Sequence, residues 1–343
     1  MTNQWYEFLE SQGAETIKGS VTAFQNHSHP ISELAELNTI CDLSHYGLLK
    51  ITGPDASKFL QGQLTCDVTK VTNLSSRLGC YCNPQGKVIA SFLIFLVNNA
   101  YFLFLPKSMV VILQSALQKY SVFSKVTVAP DNEFIMIGLT GTAIATFVSR
   151  SNYEVPAEIT GVSQTRGLTC IKFPGLYPRF ACIATFATIK SLWLELIRDL
   201  IPSTDTVWHY NDILSGIANI YPESQSQFLP HRINYHLINA VDFKKGCYVG
   251  QEVIARLHYR GILKHHMYLY EVTNALSLLP GLAVSSSDQN TIVGYIIDAI
   301  EVDPQQWIAL IIMQIDYCED EEALINDRVL IKRLTLPYSL EDN

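Results

Sequence analysis

Short apolar runs bounded by turn residues alternate along this chain with stretches whose apolar positions recur every three or four residues. The first pattern predicts strands and the second helices. Residues 46–51 (YGLLKI) read as a strand. The following TGPDASKFLQGQLTCDV reads as turn, helix and loop: Pro54 suits a first helical turn, Asp55 the positive end of the dipole, and Phe59, Leu60 and Leu64 face inward. Asn83-Pro84-Gln85-Gly86 is a turn signal between two strands. Residues 88–105 (VIASFLIFLVNNAYFLFL) are uncharged and about long enough to span a bilayer. Asn98 and Asn99 at the centre would be costly in hydrocarbon and suit the positive φ of a two-residue turn, so the segment predicts a buried β-hairpin.

Residues 108–121 predict a helix behind a Ser108 cap, and strands are expected near 122–128 and 133–140. A helix restarts after Gly141, and another is expected over 186–201, where Ile189, Leu192, Trp193, Leu196, Ile197 and Leu200 form one stripe. The first forty residues are polar and mixed, giving a short helix and an extended lead-in. From Ile262 on, short apolar runs separated by Gly, Ser, Asn and Asp predict a small antiparallel barrel or sandwich, with the acidic DYCEDEEALIND as a solvated loop and short turn. The class is α+β, with a boundary near residues 258–262: a core over 1–258 and a C-terminal β-domain over 259–343.

Composition narrows the functional classes. At 343 residues, with 48% hydrophobic and 16% charged residues, the chain is globular and long enough for two or three domains. A formal net charge of -8 argues against tight nonspecific nucleic-acid binding. Eight scattered cysteines without dense spacing suit a reducing compartment. The start has no apolar core of a signal peptide and the first arginine is Arg77, so a cytoplasmic protein without a membrane partner is expected.

One stretch, KKGCYVGQEVIAR, departs from this plain background. Cys247 follows Lys244 and Lys245, and nearby cations favour the reactive thiolate, although a buried, inert cysteine in a strand is the alternative. Gly250 lets a neighbour approach the backbone. Gln251 and Glu252 can hold an amide-bearing heterocycle or simply open a helix. Arg256, Arg260 and Lys264, with His258, His265 and His266, can receive an acidic tail such as a polyglutamate or phosphate, or can form a solvated edge. Cys80 and Cys82 share a strand face, but one pair without a second is a weak metal signal, and no metal site is expected. No phosphate loop, dinucleotide glycine pattern or GxSxG elbow occurs.

The string KKGCYVGQE, preceded by QFLPHRINY and followed by ARLHYRG, resembles the signature of the YgfZ proteins, folate-binding relatives of the glycine cleavage T-protein, an aminomethyltransferase. FLQGQLTCDV, YCNPQGKVIASFLIF, Gly216-Ile217 and the glycine-punctuated C-terminal strands agree in order, so the resemblance spans residues 44–335. It implies two intertwined α+β subdomains in a ring-like arrangement, a C-terminal antiparallel β-barrel, and tetrahydrofolate in a central cavity. It also implies a role in building or repairing iron-sulfur clusters in client proteins, tRNA-thiolating enzymes among them. Cys247 is then the functional residue, set among Lys245, Gly246, Tyr248, Gly250, Gln251 and Glu252, with folate contacts expected from Gln63, Asp67, Asn83, Arg179, Arg256 and Arg260. Two departures stand out. Ala90 and Ser91 occupy the place of the transferase's catalytic aspartate, which makes aminomethyl transfer improbable, and Leu176 stands about where a pterin-binding glutamate is expected. A folate-dependent one-carbon transferase or demethylase using another acid, such as Asp67, is the alternative.

Overall fold

In the computed structural model, which describes residues 2–25, 30–286, 291–318 and 330–340, the first forty residues form more than a helix and a lead-in. Trp5, Phe8 and Leu9 lie on the buried face of α1 (Thr2–Ser11). A hairpin of β1 (Ala14–Ile17) and β2 (Ser20–Phe24) follows, then α2 (Ile31–Glu36) and β3 (Thr39–Asp42).

Next come β4 (Tyr46–Thr52), α3 (Ala56–Gln61), β5 (Arg77–Cys82), β6 (Val88–Val97), β7 (Ala100–Pro106), α4 (Lys107–Ser121) and β8 (Thr127–Asp131). The strands build an antiparallel sheet ordered β5-β6-β7-β4-β8, with α4 packed on β4 and β8. The uncharged 88–105 stretch is the buried hairpin β6–β7, turned by Asn98 at φ 49 and Asn99 at φ 61. Pro106, not Ser108, stands at the cap of α4: its extended backbone feeds the first turn, and no side chain caps it. Asp55 stands at the cap of α3, but its carboxylate accepts the Lys125 backbone N–H at 2.7 Å instead of a helix N–H. The strand expected near 122–128 starts only at Thr127, leaving Val122 and Phe123 exposed ahead of it.

The second sheet comes from β9 (Phe134–Thr140), α5 (Ile144–Arg150), β10 (Val162–Thr165), β11 (Leu168–Phe173), β12 (Arg179–Thr185), α6 (Phe186–Leu196), β13 (Ile201–Ser203) and α7 (Thr206–Leu214). Its order is β10-β11-β12-β9-β3-β13, antiparallel except where β13 runs parallel to β3. Helix α6 stops at Leu196, short of the expected 201, because Pro202 biases Ile201 to an extended conformation and Ile201 pairs with Thr39. The chain leaves this sheet for the first between β3 and β4 and returns between β8 and β9, so the two α+β subdomains are interleaved.

After α8 (Gln251–Arg260), the strands β14 (His265–Thr273), β15 (Ala283–Ser285), β16 (Ile292–Asp303), β17 (Gln306–Gln314) and β18 (Leu330–Leu334) form an antiparallel sheet ordered β15-β16-β17-β14-β18. Among the described residues no ladder joins its two edge strands. Of the acidic stretch, residues 319–327 lie outside the described residues. Leu269, Ile297, Leu310 and Ile312 of this sheet join the same apolar core as the first sheet. A polar tie adds to it: His209 of α7 meets Asp298 of β16 at 2.7 Å. No helix among the described residues is long and apolar enough to cross a membrane.

Candidate functional site

A cavity of about 1010 Å³ opens among the three sheets. Its wall draws on Arg77 and Leu78 of β5, Pro174 beyond β11, Ile217 beyond α7, His258 of α8 and Tyr338 beyond β18. Leu78, Ile217 and Val241 give it apolar faces, while charged side chains stand on other parts of the wall. Cofactor pockets of roughly 300–1,000 Å³ share this mixture, so the lining suits a flat heterocycle with a polar extension.

On one side Lys70 Nζ lies 2.7 Å from Asp242 Oδ2 and 3.5 Å from Asp67 Oδ2. Asp67 Oδ1 also accepts from Gln61 Nε2 at 2.9 Å and from the Thr69 hydroxyl at 2.7 Å. Burial works to raise the pKa of Asp67, but the Thr69 and Gln61 hydrogen bonds and the Lys70 charge outweigh it and hold the carboxyl below its ordinary value. Asp67 reaches the cavity as expected, yet as an ionised group already engaged by its own loop.

Beyond Leu78 and Ile217 a narrow recess is lined by Ser91, Asp212, Asn219 and Tyr235. Ala90 and Ser91 are buried, and the Ser91 hydroxyl accepts the Ile220 backbone N–H at 3.0 Å. The carboxylate of the recess belongs to Asp212. One of its oxygens takes Arg179 Nη2 at 2.6 Å, and the other accepts from the Tyr46 hydroxyl and from Asn219 Nδ2 at 3.4 Å. Sequence reasoning missed Asp212, which sits in an ordinary helical pattern. Arg179, expected to touch folate, is 0% exposed, and its guanidinium is taken up by Asp212 and the Pro174 and Trp208 carbonyls.

The motif loop lies against the same region. Lys245 is buried, and its Nζ donates to the carbonyls of Gln61 at 2.8 Å, Leu64 at 2.6 Å and Cys66 at 2.8 Å. Burial draws its pKa down to about 8, against the opposing pull of Cys66, Asp67 and Asp242. The ammonium also lies over the Tyr248 ring at 5.1 Å. Lys245 therefore pins the loop to the core, and its hydrogen bonds go to backbone carbonyls. Gly246 and Cys247 stand exposed between the buried Lys245 and Tyr248. This overturns the alternative of a buried Cys247. Six of the other seven cysteines are buried, and Cys318 is half-buried.

Gly250 adopts φ +82, and a Cβ there would fall 2.6 Å from the Asn83 carbonyl oxygen and 2.9 Å from Gly86 Cα. The motif loop thus seats on the 83–86 turn, in which Asn83 Oδ1 accepts the Lys87 N–H at 3.0 Å. Asn83 serves the turn and is not part of the cavity wall. Gln251 and Glu252 open α8, Glu252 exposed, and neither lines the cavity. Arg256 and Arg260 are exposed on α8 outside the wall, and Gln63 also stands apart from it. Leu176 is 65% exposed, next to the wall residues Pro174 and Gly175. Cys80 and Cys82 share a buried face with their sulfurs 4.0 Å apart, and burial pushes Cys82 far up and the neighbouring Cys66 thiol up to about 12. Among the described residues no group of three or more His, Cys, Asp or Glu side chains is placed to hold a metal ion.

Sequence reasoning singled out His258 and His266 but missed that they gather around the buried His231 with His236. His231 is fully buried, with its ring centroid 4.8 Å from that of His236 and 6.0 Å from that of His258. Burial, then the positive potential of His236, His258 and His266, lowers its pKa to about 3. His258 stacks on Phe243 at 3.7 Å, and both rings line the cavity.

Interleaved α+β halves about a cavity, followed by an antiparallel C-terminal sheet, define an aminomethyltransferase-like fold. The crystal structure of glycine cleavage system aminomethyltransferase T from Bartonella henselae matches it with a TM-score of 0.77 over 97% of this chain and 96% of its own, at 12% identity. Residues 4–150 match the GCVT N-terminal domain family. In sequence the chain is 29% identical over 309 residues (89% of this chain, 94% of the relative) to the tRNA-modifying protein YgfZ of Escherichia coli (strain SMS-3-5 / SECEC). It is 30% identical over 243 residues (70% and 74%) to the tRNA-modifying protein YgfZ of Colwellia psychrerythraea. The chain belongs to the YgfZ family.

Proposed function

We propose that this chain is a folate-binding accessory protein that presents the Cys247 thiol to client enzymes, tRNA-modifying ones among them, in the assembly or repair of their iron-sulfur clusters. The observation that carries this reading is the seating of the motif: the loop that holds Cys247 outside also supplies Phe243 and Lys244 to the wall of the cavity. Leu78, Ile217 and Val241 offer faces for a pterin, and Phe243 stacked on His258 forms a flat shelf beside them. Reduced folate, when bound, carries one-carbon units. The residues of this chain position it and exclude water.

The transferase alternative is less well supported. Ser91 is committed to the Ile220 backbone, and the three carboxylates at the cavity and its recess, Asp67, Asp242 and Asp212, are held by hydrogen bonds and cations. Among the described residues no group at the recess is a free base.

Two measurements test the reading on the intact chain. Tetrahydrofolate is expected to raise the melting temperature, as a ligand selective for the folded state must. Cys247→Ser is expected to keep the fold and the folate response while losing rescue of a strain with deficient iron-sulfur enzymes. Full rescue by that variant would remove the thiol from the function, and the absence of any folate response would remove the cofactor.

A further inference from the structure

A second hollow of about 170 Å³, sharing no lining residue with the central cavity, opens behind the last turn of α8. Its floor is aliphatic: Leu257 of α8, Leu229 ahead of the short turn Pro230–Ile233 and Leu263 ahead of β14, all half-buried. Its charged side is built by Arg232 of that turn with Lys264 and His265 where β14 begins. No acid lines it, and among the described residues neither the Arg232 guanidinium nor the Lys264 ammonium has an ion-pair or hydrogen-bond partner. Burial, then the charges of Arg232 and Lys264, lowers the pKa of His265, so the three groups stand close enough to feel one another. The dipole of α8 does not account for them, because His258 and Arg260 of its own last turn serve that end. The backbone fixes the cluster, with the Lys264 carbonyl accepting the Ile315 N–H at 3.0 Å. Like charges gathered in a half-buried place repel one another, and a bound anion relieves that repulsion.

Size and lining define the anion. The volume falls short of the roughly 300 Å³ at which cofactor-sized pockets begin, so the hollow takes one side chain and its acid group. The guanidinium fork fits a carboxylate with two parallel bonds. A free polypeptide C-terminus carries a carboxylate and a side chain on the same carbon, whereas an internal aspartate or glutamate places its acid at the tip and leaves the aliphatic floor uncovered. We propose that this hollow binds the aliphatic C-terminal residue of a partner polypeptide, its α-carboxylate on Arg232 and Lys264 and its side chain on Leu229, Leu257 and Leu263. Ile262, 85% exposed at the rim, gives the partner's preceding residue an apolar seat.

Fluorescence anisotropy on the full chain, with the fluorescein-labelled peptide Gly-Ser-Gly-Ser-Ala-Leu, tests this. The free acid is expected to bind on the order of tenfold tighter than its C-terminal amide, the worth of one charge-assisted hydrogen bond. It should also outbind the amide of Gly-Ser-Gly-Asp-Ala-Leu, which carries the same charge on an internal side chain. Arg232→Gln should erase the preference, Lys264→Gln should weaken it, and Lys119→Gln, at an exposed lysine of α4, should leave it unchanged. Lys264 is exposed, so its variant keeps the test open should Arg232→Gln not fold. In an NMR titration the free acid should raise the His265 pKa and the amide should not. Equal binding of acid and amide, a preference that survives both substitutions, or no binding of the acid overturns the proposal. Equal binding of the aspartyl amide overturns it too, leaving only a general basic surface.

Discussion

Lys245 takes an ammonium into a water-poor site where three backbone carbonyls replace its hydration. Lys245→Met would leave those carbonyls without their donor, and the expected loss is about 2–3 kcal/mol of unfolding free energy, read by urea denaturation. An unchanged midpoint would mean that the loop is anchored elsewhere. His231 gives the second prediction at this scale. Its pKa lies near 6.5 in the unfolded chain and is lowered to about 3 by burial and by the neighbouring histidines in the fold. Above pH 6.5 both states are neutral and the full stability is present. As pH falls from 6.5 toward 3 the unfolded chain takes up a proton that the fold refuses, so stability drops by about 1.4 kcal/mol per pH unit from this group. His231→Phe should flatten the acid limb of a stability-against-pH curve, and an identical slope in the variant would assign it to other groups. None of this was visible in the sequence: KK before a cysteine reads as thiolate activation, and only the fold reveals that the second lysine turns inward.

The elements around the motif meet through glycine. Gly250→Ala places a methyl on the Asn83 carbonyl at positive φ, and roughly 2 kcal/mol or more should be lost. Gly246→Ala has open space around the added carbon and should be silent in the same melting experiment. The tie between α7 and the C-terminal sheet is testable by pH. Burial works to lower the His209 pKa, but the Asp298 carboxylate prevails and raises it above 6.5. This contribution is fully present below the unfolded value of 6.5 and is lost as pH rises through the folded value. Asp298→Asn leaves burial opposed only by the lesser pull of Asp212 and Asp205, so the His209 pKa, followed by NMR, should fall below its wild-type value, and no shift would refute the pairing. Legibility at this scale follows periodicity. The Asn-Asn hairpin, α4 and the Asn-Pro-Gln-Gly turn were readable because local chemistry decides them, whereas for Gln251 the sequence left a helix opening and a heterocycle contact side by side. The end of α6 was not readable, because its apolar stripe continues past the point where pairing of Ile201 with Thr39 takes over.

Over the whole molecule, the α+β class and the C-terminal antiparallel strands were readable from the residue pattern, while the interleaving was expected only through the family resemblance. Strands β3 and β4 are neighbours in sequence yet belong to different sheets, a choice set by long-range pairing. The central cavity came the same way, and its lining was out of reach of local pattern, since the wall gathers residues from Asp67 to Tyr338. Ile159 lines it while 57% exposed, so Ile159→Trp should obstruct that part of the cavity without unfolding the chain and reduce the thermal shift caused by tetrahydrofolate. A shift of wild-type size in that variant would place the folate elsewhere. The far limit of the wall has a temporal meaning. The Tyr338 hydroxyl donates to the Gly216 carbonyl at 2.9 Å, on a glycine at φ +65 whose missing side chain makes room for the phenol ring. During translation, every strand of the interleaved sheets emerges before that phenol does. A nascent chain paused at residue 330 has the strands of both interleaved sheets and a cavity still without its Tyr338 wall.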